Sequence, residues 1–336
     1  MPKTVLRRLL GAIPNLIGVV VVTFILTRAL PGDPAAFFAG AAATPEAVEE
    51  VRKSLGLDRS LPVQFGYYVR DLFRGELGNS LSTGQPVIQE LITRLPASLE
   101  LTFLGLLLAA AVAVPLGIAA ATRPNSWIDH LCRMLTTAGV SLPTFFTGLL
   151  LAYIFYYLLG WSPSPIGRLD PYFSPPDHVT GLYLIDSLLV GDFELWRAAA
   201  AQLILPAVTL ALFVMAPLAR MTRASMLGVL SSDFIRTARA SGLSRPMILY
   251  TYAFRNALLP VVTTLGMVFS FLLGSNVLVE KVFAWPGIGS YAVEALVSSD
   301  YAPVQGFVLT MATMYVLLNL SIDIACSLLD PRVKMQ

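Results

Sequence analysis

Two histidines, two cysteines and a scatter of carboxylates are the residues of this chain with the most chemical potential. A metal site needs such ligands at close, convergent spacing, and none has it. His130 follows Asp129, His178 follows Asp177, and Cys132 stands 194 positions before Cys326. The histidines read as ordinary loop residues and the cysteines as free thiols near the inner face. No nucleophile, base and orienting acid form a legible dyad or triad, and no GxxxxGK[ST] loop is present to cradle phosphates. No catalytic, cofactor-binding or metal-binding residue is therefore expected. Asp323, near the end of an apolar run, and Asn276 and Gln305 remain as possible gate or pathway residues. A carboxylate in such a run faces protein or water, because lipid exposure is costly. Asp323 could orient a subunit interface, line an inner vestibule or sit exposed at the boundary, while Asn276 and Gln305 neighbour an outer mouth.

The segment Arg220 to Arg255 stands apart, with six arginines, one acid and clear helix punctuation. Ser232 or Asp233 can cap a short helix through Ala240, with Gly242 marking its end. Ser244 can cap a second helix, with Pro246 in its first turn. Phe234, Ile235, Ala238, Leu243, Ile248 and Leu249 supply apolar contacts among the arginines. That mixture suits a helix whose apolar side chains enter a groove on a cytoplasmic protein while arginines satisfy the rim. Plain retention of positive charge on the inner side, with attraction to anionic lipid, is the reading that charge alone favours.

The elements that must position these residues are membrane helices. Of 336 residues, 56% are hydrophobic and only 13% charged, with a mean hydropathy of +0.70. A soluble domain carries roughly 25% charged residues. Disorder is excluded by the apolar content, and a net charge of +2 gives no bulk signal for nucleic acid or another polyanion. Six charge-poor runs are long enough for a bilayer, at about 20 residues each. They place a first span near 9–30 and five more, near 99–122, 136–160, 198–219, 256–279 and 301–326, within a permease core of 99–330. The run Leu9 to Thr27 is too long for a leader and lacks a small-residue cleavage pattern, so it reads as a retained span. With both termini inside, the inner side holds thirteen Lys and Arg against three Asp; the outer side holds ten against seventeen acids. Residues 1–8 and 331–336 are then inner termini and 220–255 an inner loop. Residues 31–98 form an outer segment with amphipathic helices at about Pro45 to Leu55 and Val63 to Phe73, Thr44 being a cap. Pro115, Pro143, Pro206, Pro217 and Pro260 lie in or beside spans, either as tolerated kinks or as gating bends. Gly105, Gly117, Gly148, Gly266 and Gly274 permit close helix packing.

At Arg236-Thr237-Ala238-Arg239-Ala240-Ser241-Gly242 the chain resembles the membrane subunit of a binding-protein-dependent ABC importer, whose inner loop carries Glu-Ala-Ala followed by Gly four positions on. The acidic first position is Arg236 here, and the later Leu-Pro of the general motif falls on Phe254-Arg255. These departures are similar to the first-permease branch of the dipeptide, oligopeptide and nickel group. Further ordered segments resemble that branch: Leu30-Pro31-Gly32-Asp33-Pro34, Leu55-Gly56-Leu57-Asp58, Gly75-Glu76-Leu77-Gly78-Asn79-Ser80, Trp285-Pro286-Gly287-Ile288-Gly289, Asp300-Tyr301 with Gln305-Gly306, and Asp330-Pro331-Arg332. The resemblance covers nearly the whole chain. It implies an all-α polytopic membrane protein with six transmembrane helices in the ABC importer type I (MetI-like) permease fold, in a bacterial or archaeal cell membrane. It implies no cofactor in this chain and partners that comprise a second homologous permease, two cytoplasmic ATPase subunits, an extracytoplasmic solute-binding protein and membrane lipid. Arg236, Thr237, Ala238, Arg239, Gly242 and Leu243 would then couple to an ATPase, with dipeptides or oligopeptides, or nickel, glutathione or another small solute, as cargo. A secondary carrier or channel is the alternative of a different class, expected to move solute alone and to show inverted repeats or several pore-facing charges. A purely structural membrane scaffold is a third.

Overall fold

The computed structural model describes residues 2–29, 34–40, 43–54, 56–298 and 300–329. The expectations resting on residues 30–33, Leu55 and the segment from Asp330 to the end lie outside them. The described residues form α1 (Pro2–Ala29), α2 (Pro34–Ala39), α3 (Pro45–Ser54), α4 (Leu61–Phe73), α5 (Val87–Thr122), α6 (Trp127–Ser141) and α7 (Thr144–Leu151). A π-helical turn, Ala152–Leu158, continues α7. There follow α8 (Tyr183–Val190), α9 (Phe193–Leu230), α10 (Asp233–Ala240), a second π-helical stretch, Met247–Phe254, that runs into α11 (Arg255–Val282), then α12 (Ile288–Val297) and α13 (Tyr301–Leu329). Among the described residues the one β-type pairing is an isolated bridge between Asn79 and Pro86. This is an all-α polytopic membrane fold. Among the described residues, four rods are long and apolar enough to cross a bilayer: α5, α9, Met247–Val282 and Tyr301–Leu328. The first and third expected spans contain shorter apolar stretches, Ile13–Ile25 and Thr144–Leu158.

Several helices outrun the apolar intervals that predict them. With 36 and 38 residues, α5 and α9 are about 55 Å long at 1.5 Å per residue, against roughly 30 Å of hydrocarbon. A charge at the membrane boundary does not end a helix; it needs a breaker. α9 therefore continues past Arg220 and Arg223 to Leu230 before Ser231 and Ser232 turn the chain, so the first part of the expected inner loop is helical. The interval read as one third span is divided. Pro143 lacks an N–H and forces Leu142 into extended backbone (φ −109°, ψ 139°), so α6 stops at Ser141 and a new helix starts at Thr144. Pro115, Pro206, Pro217 and Pro260 instead lie inside continuous helices.

The core is the α5–α9 pair, joined by α11. Gly105 and Gly117 let α5 and α9 approach. A Cβ on Gly117 would stand 2.7 Å from Thr222 Cβ and 2.9 Å from the Ala219 carbonyl, closer than atoms pack. Gly148 and Gly266 also meet neighbouring helices, whereas Gly274 faces open space and serves no close contact. On one flank α1 packs on α13, and α13 on α11. The segment between α1 and α5 carries α3, whose first turn is capped by Thr44 Oγ1 accepting from Ala47 N at 3.3 Å, and α4.

Candidate functional site

α10 is the short helix expected in the basic inner loop. Ser232 occupies its N-cap position without a side-chain cap bond, the Ser232 hydroxyl donating instead to the Val229 carbonyl at 2.6 Å. Its other end closes through Gly242 at φ 72°: Gly242 N donates to Arg239 O at 3.1 Å and Leu243 N to Ala238 O at 3.3 Å. This paired geometry is a Schellman motif, and it requires a left-handed residue at position 242. A Cβ there would meet nothing within 4 Å, so backbone angle rather than space demands the glycine.

The helix has two unlike faces. Ile235 is fully buried and Ala238 is 6% exposed; they pack with Ile118 and Ala121 of α5, Met226 of α9, Ile248 and Ala253 of the π-helical stretch, and Ala257 of α11. Leu243 is half-buried against the same cluster. Arg236, Thr237, Arg239, Ser241 and Gly242 are exposed, as is Phe234 at 45%. The candidate coupling residues thus divide: Ala238 and Leu243 hold the helix to the bundle, while Arg236, Thr237 and Arg239 face outward. Arg236 also reaches Asp233 at 3.3 Å, an exposed pair of small energetic consequence.

A buried ion cluster lies at the same end of the bundle. Asp129 stands on the first turn of α6, not in a loop, and is fully buried. Its carboxylate accepts from Arg223 Nε at 2.5 Å and Nη2 at 2.9 Å, from Arg133 Nη2 at 2.9 Å, and from Asn125 N at 3.0 Å. The Arg223 guanidinium, outweighing the cost of burial, holds the Asp129 carboxyl far below the usual carboxylate range, and the Asn125 and Arg133 bonds add to this. The clamp joins α6 to the α9 segment leading into α10. Reading Asp129 only beside His130 misses it; the available signal was an acid and a basic residue four positions apart at a helix start, Asp129 and Arg133.

At the opposite ends of α5 and α11 the bundle is tied by polar groups. Asn276 is buried, with Nδ2 donating to Thr102 Oγ1 at 3.1 Å, which makes it an α5–α11 tie. One turn on, the buried Glu280 carboxylate accepts from Ser98 Oγ at 2.5 Å and Ser290 N at 2.7 Å. The Trp285-Pro286-Gly287-Ile288-Gly289 turn wraps this carboxylate: Trp285 Nε1 donates to Ala97 O at 2.9 Å, and Ile288 N to Ser98 Oγ at 3.0 Å. A Cβ on Gly287 would fall inside the Glu280 carboxylate. Nearby, Glu100 receives Arg168 Nη2 at 2.5 Å and Leu184 N at 2.8 Å. Charge counting gave Glu100, Arg168 and Glu280 to a solvated outer face; they are buried because each meets a hydrogen-bonding partner. Gln305 lines a cleft beside Asp300 and Tyr301, and Asp323 is half-buried on α13. Asn276, Gln305 and Asp323 do not converge on one site.

Two family models match: the binding-protein-dependent transport system inner membrane component over residues 113–335, and the N-terminal part of such membrane components over residues 1–102. The chain is 46% identical over 327 residues to the probable D,D-dipeptide transport system permease protein DdpB of Escherichia coli K12, covering 97% of this chain and 96% of that one. It is 42% identical to the dipeptide transport system permease protein DppB of Alkalihalophilus pseudofirmus, over 98% of both chains. The fold resembles a solved structure of the inward-facing MetNI methionine ABC transporter, with a TM-score of 0.51 at 16% identity, covering 70% of this chain and 93% of that chain. A two-faced short helix on a helical membrane bundle and a family match over most of the chain lead to one conclusion: this protein belongs to the binding-protein-dependent transport system inner membrane components.

Proposed function

We propose that this chain is a permease subunit of an ATP-driven importer for dipeptides or oligopeptides, forming half of a translocation pathway with a second homologous permease. Its termini and α10 face the cytoplasm. ATP hydrolysis belongs to two cytoplasmic ATPase subunits, and cargo arrives from an extracytoplasmic solute-binding protein. The cargo reading is supported by relatives that are dipeptide permeases at 46% and 42% identity. The observation that carries the coupling reading is the division of α10: Phe234, Arg236 and Thr237 are presented outward, while Ile235 and Ala238 are locked onto α5, α9 and the 247–254 segment. A helix so seated cannot shift without moving the ends of the spans it touches. Closure of the ATPases would push the exposed face, and the packed face would pass that displacement to the bundle. The Asp129 clamp would carry it on to α6.

The test is reconstitution of the chain with its partner permease, ATPases and binding protein in vesicles, followed by uptake of L-alanyl-L-alanine. The proposal expects uptake that needs both ATP and binding protein. Uptake by this chain alone, driven by an ion gradient or by none, would establish a carrier or channel instead.

A further inference from the structure

Among the described residues, two buried side-chain polar atoms without a hydrogen-bond partner, Tyr68 Oη and Asp300 Oδ1, belong to residues lining one open cleft of about 540 Å³. The cleft lies between the end of α3, α4, the 76–81 loop and the start of α13. Asp300 is fully buried. Its Oδ2 is committed, accepting from Ser80 Oγ and Leu81 N at 2.7 Å and from Ser82 N at 3.1 Å, while Oδ1 accepts nothing. Tyr68 Oη is a donor without an acceptor, and burial pushes its pKa up to about 12, keeping the phenol protonated. Buried polar groups are rarely left this way, and a missing occupant is one standard explanation.

The charges around the cleft complete the pattern. Arg70 is paired with Asp71 at 2.8 Å, and Arg59 Nη1 donates to Tyr67 Oη at 2.8 Å, with both guanidinium groups over the Tyr67 ring. Lys53 and Glu76 also line the cleft, and neither forms an ion pair among the described residues. The cleft therefore offers uncommitted positive and negative groups together, which excludes a simple anion or cation site. We propose that it binds a zwitterion, a short peptide with free ends, whose ammonium donates to Asp300 Oδ1 and whose carboxylate accepts from Tyr68 Oη and Lys53. The zwitterion chemistry is read from the cleft alone; that its source is a peptide rests on the cargo reading above. The cleft would hold peptide at the outer layer, ahead of the pathway.

The experiment is calorimetric titration of L-alanyl-L-alanine into the assembled membrane complex, without binding protein or nucleotide, in phosphatidylcholine nanodiscs. Saturable binding is expected, weakened roughly tenfold or more by N-acetylation or C-amidation of the peptide. Asp300→Asn would also loosen the 80–82 loop, so Tyr68→Phe and Lys53→Ala carry the test, each expected to weaken binding by a similar factor. Absence of saturable binding, or binding indifferent to blocked ends and to both variants, overturns the inference and leaves ordered water as the occupant. Loss of peptide binding when phosphatidylethanolamine replaces phosphatidylcholine would assign the cleft to a lipid headgroup and also overturn it. Normal ATP-driven dipeptide uptake without cleft binding sinks this inference alone; cleft binding without dipeptide uptake sinks only the cargo reading.

Discussion

Replacing Ile235 and Phe234 with alanine, one at a time, separates the two faces of α10. The residues are adjacent in sequence and both apolar, but Ile235 is fully buried and Phe234 is 45% exposed. Ile235→Ala removes three carbons from a cluster that includes Met226, Ile248 and Ile118, leaving a cavity at the junction of α5, α9 and the 247–254 segment. Such truncations cost about 2–5 kcal/mol. Phe234→Ala removes a larger side chain that the chain itself only partly covers, so its cost to the isolated chain is about 1 kcal/mol or less. Thermal unfolding of each purified variant, followed by co-purification with the ATPase subunits, reads both effects. Ile235→Ala should lower the unfolding midpoint clearly. Phe234→Ala should leave it nearly unchanged and lose ATPase. If Phe234→Ala destabilised the isolated chain more than Ile235→Ala, the assignment of packed and presented faces would be wrong.

Outcomes at four further positions follow from the same geometry. At Gly242, Asn should be tolerated and Val should not: a β-branched residue at φ 72° costs about 1–2 kcal/mol and unwinds the end of α10, so ATPase coupling falls while insertion stays intact, as read by substrate-stimulated ATP hydrolysis and membrane yield. Asp129→Ala should cost about 3 kcal/mol by stranding Arg223, measured by thermal unfolding; because the native carboxyl titrates far below its unfolded value, the wild-type clamp is complete above about pH 4 and weakens only as pH falls toward the native value, so the difference between variant and wild type should be constant from pH 8 to about pH 5. Gly287→Ala should destabilise by about 1–3 kcal/mol, because its methyl displaces the Glu280 carboxylate, and Gly274→Ala should be tolerated in a thermal unfolding assay because its position is open.

Composition made the helical membrane class legible, and capping and terminating residues made α3 and α10 legible, because each has local punctuation: Thr44 before α3 and Gly242 after α10. Helix length was less legible. Charge marks the edge of lipid, but only a breaker ends a helix, so α9 passes Arg223, and α6 begins at Trp127 and stops before Pro143. The polar ties were the least legible part. Asp129 with Arg223, Glu100 with Arg168 and Ser98 with Glu280 join residues far apart in the chain, and no local pattern pairs them. Counting the charged members as solvated loop residues missed their burial. Which face of α10 turns inward was visible only as spacing: Ile235 and Ala238 lie three apart, but Phe234, equally apolar, points outward.

The central claim is that α10 docks an ATPase through one face while the other binds it to the bundle. Site-specific photo-crosslinking in the assembled transporter tests it directly, with a photoreactive residue placed in turn at positions 235, 236, 237 and 238. Cross-links to the ATPase subunit from 236 and 237, with only intrachain products from 235 and 238, are predicted. ATPase cross-links from 235 and 238, or none from any position on α10, would contradict the account.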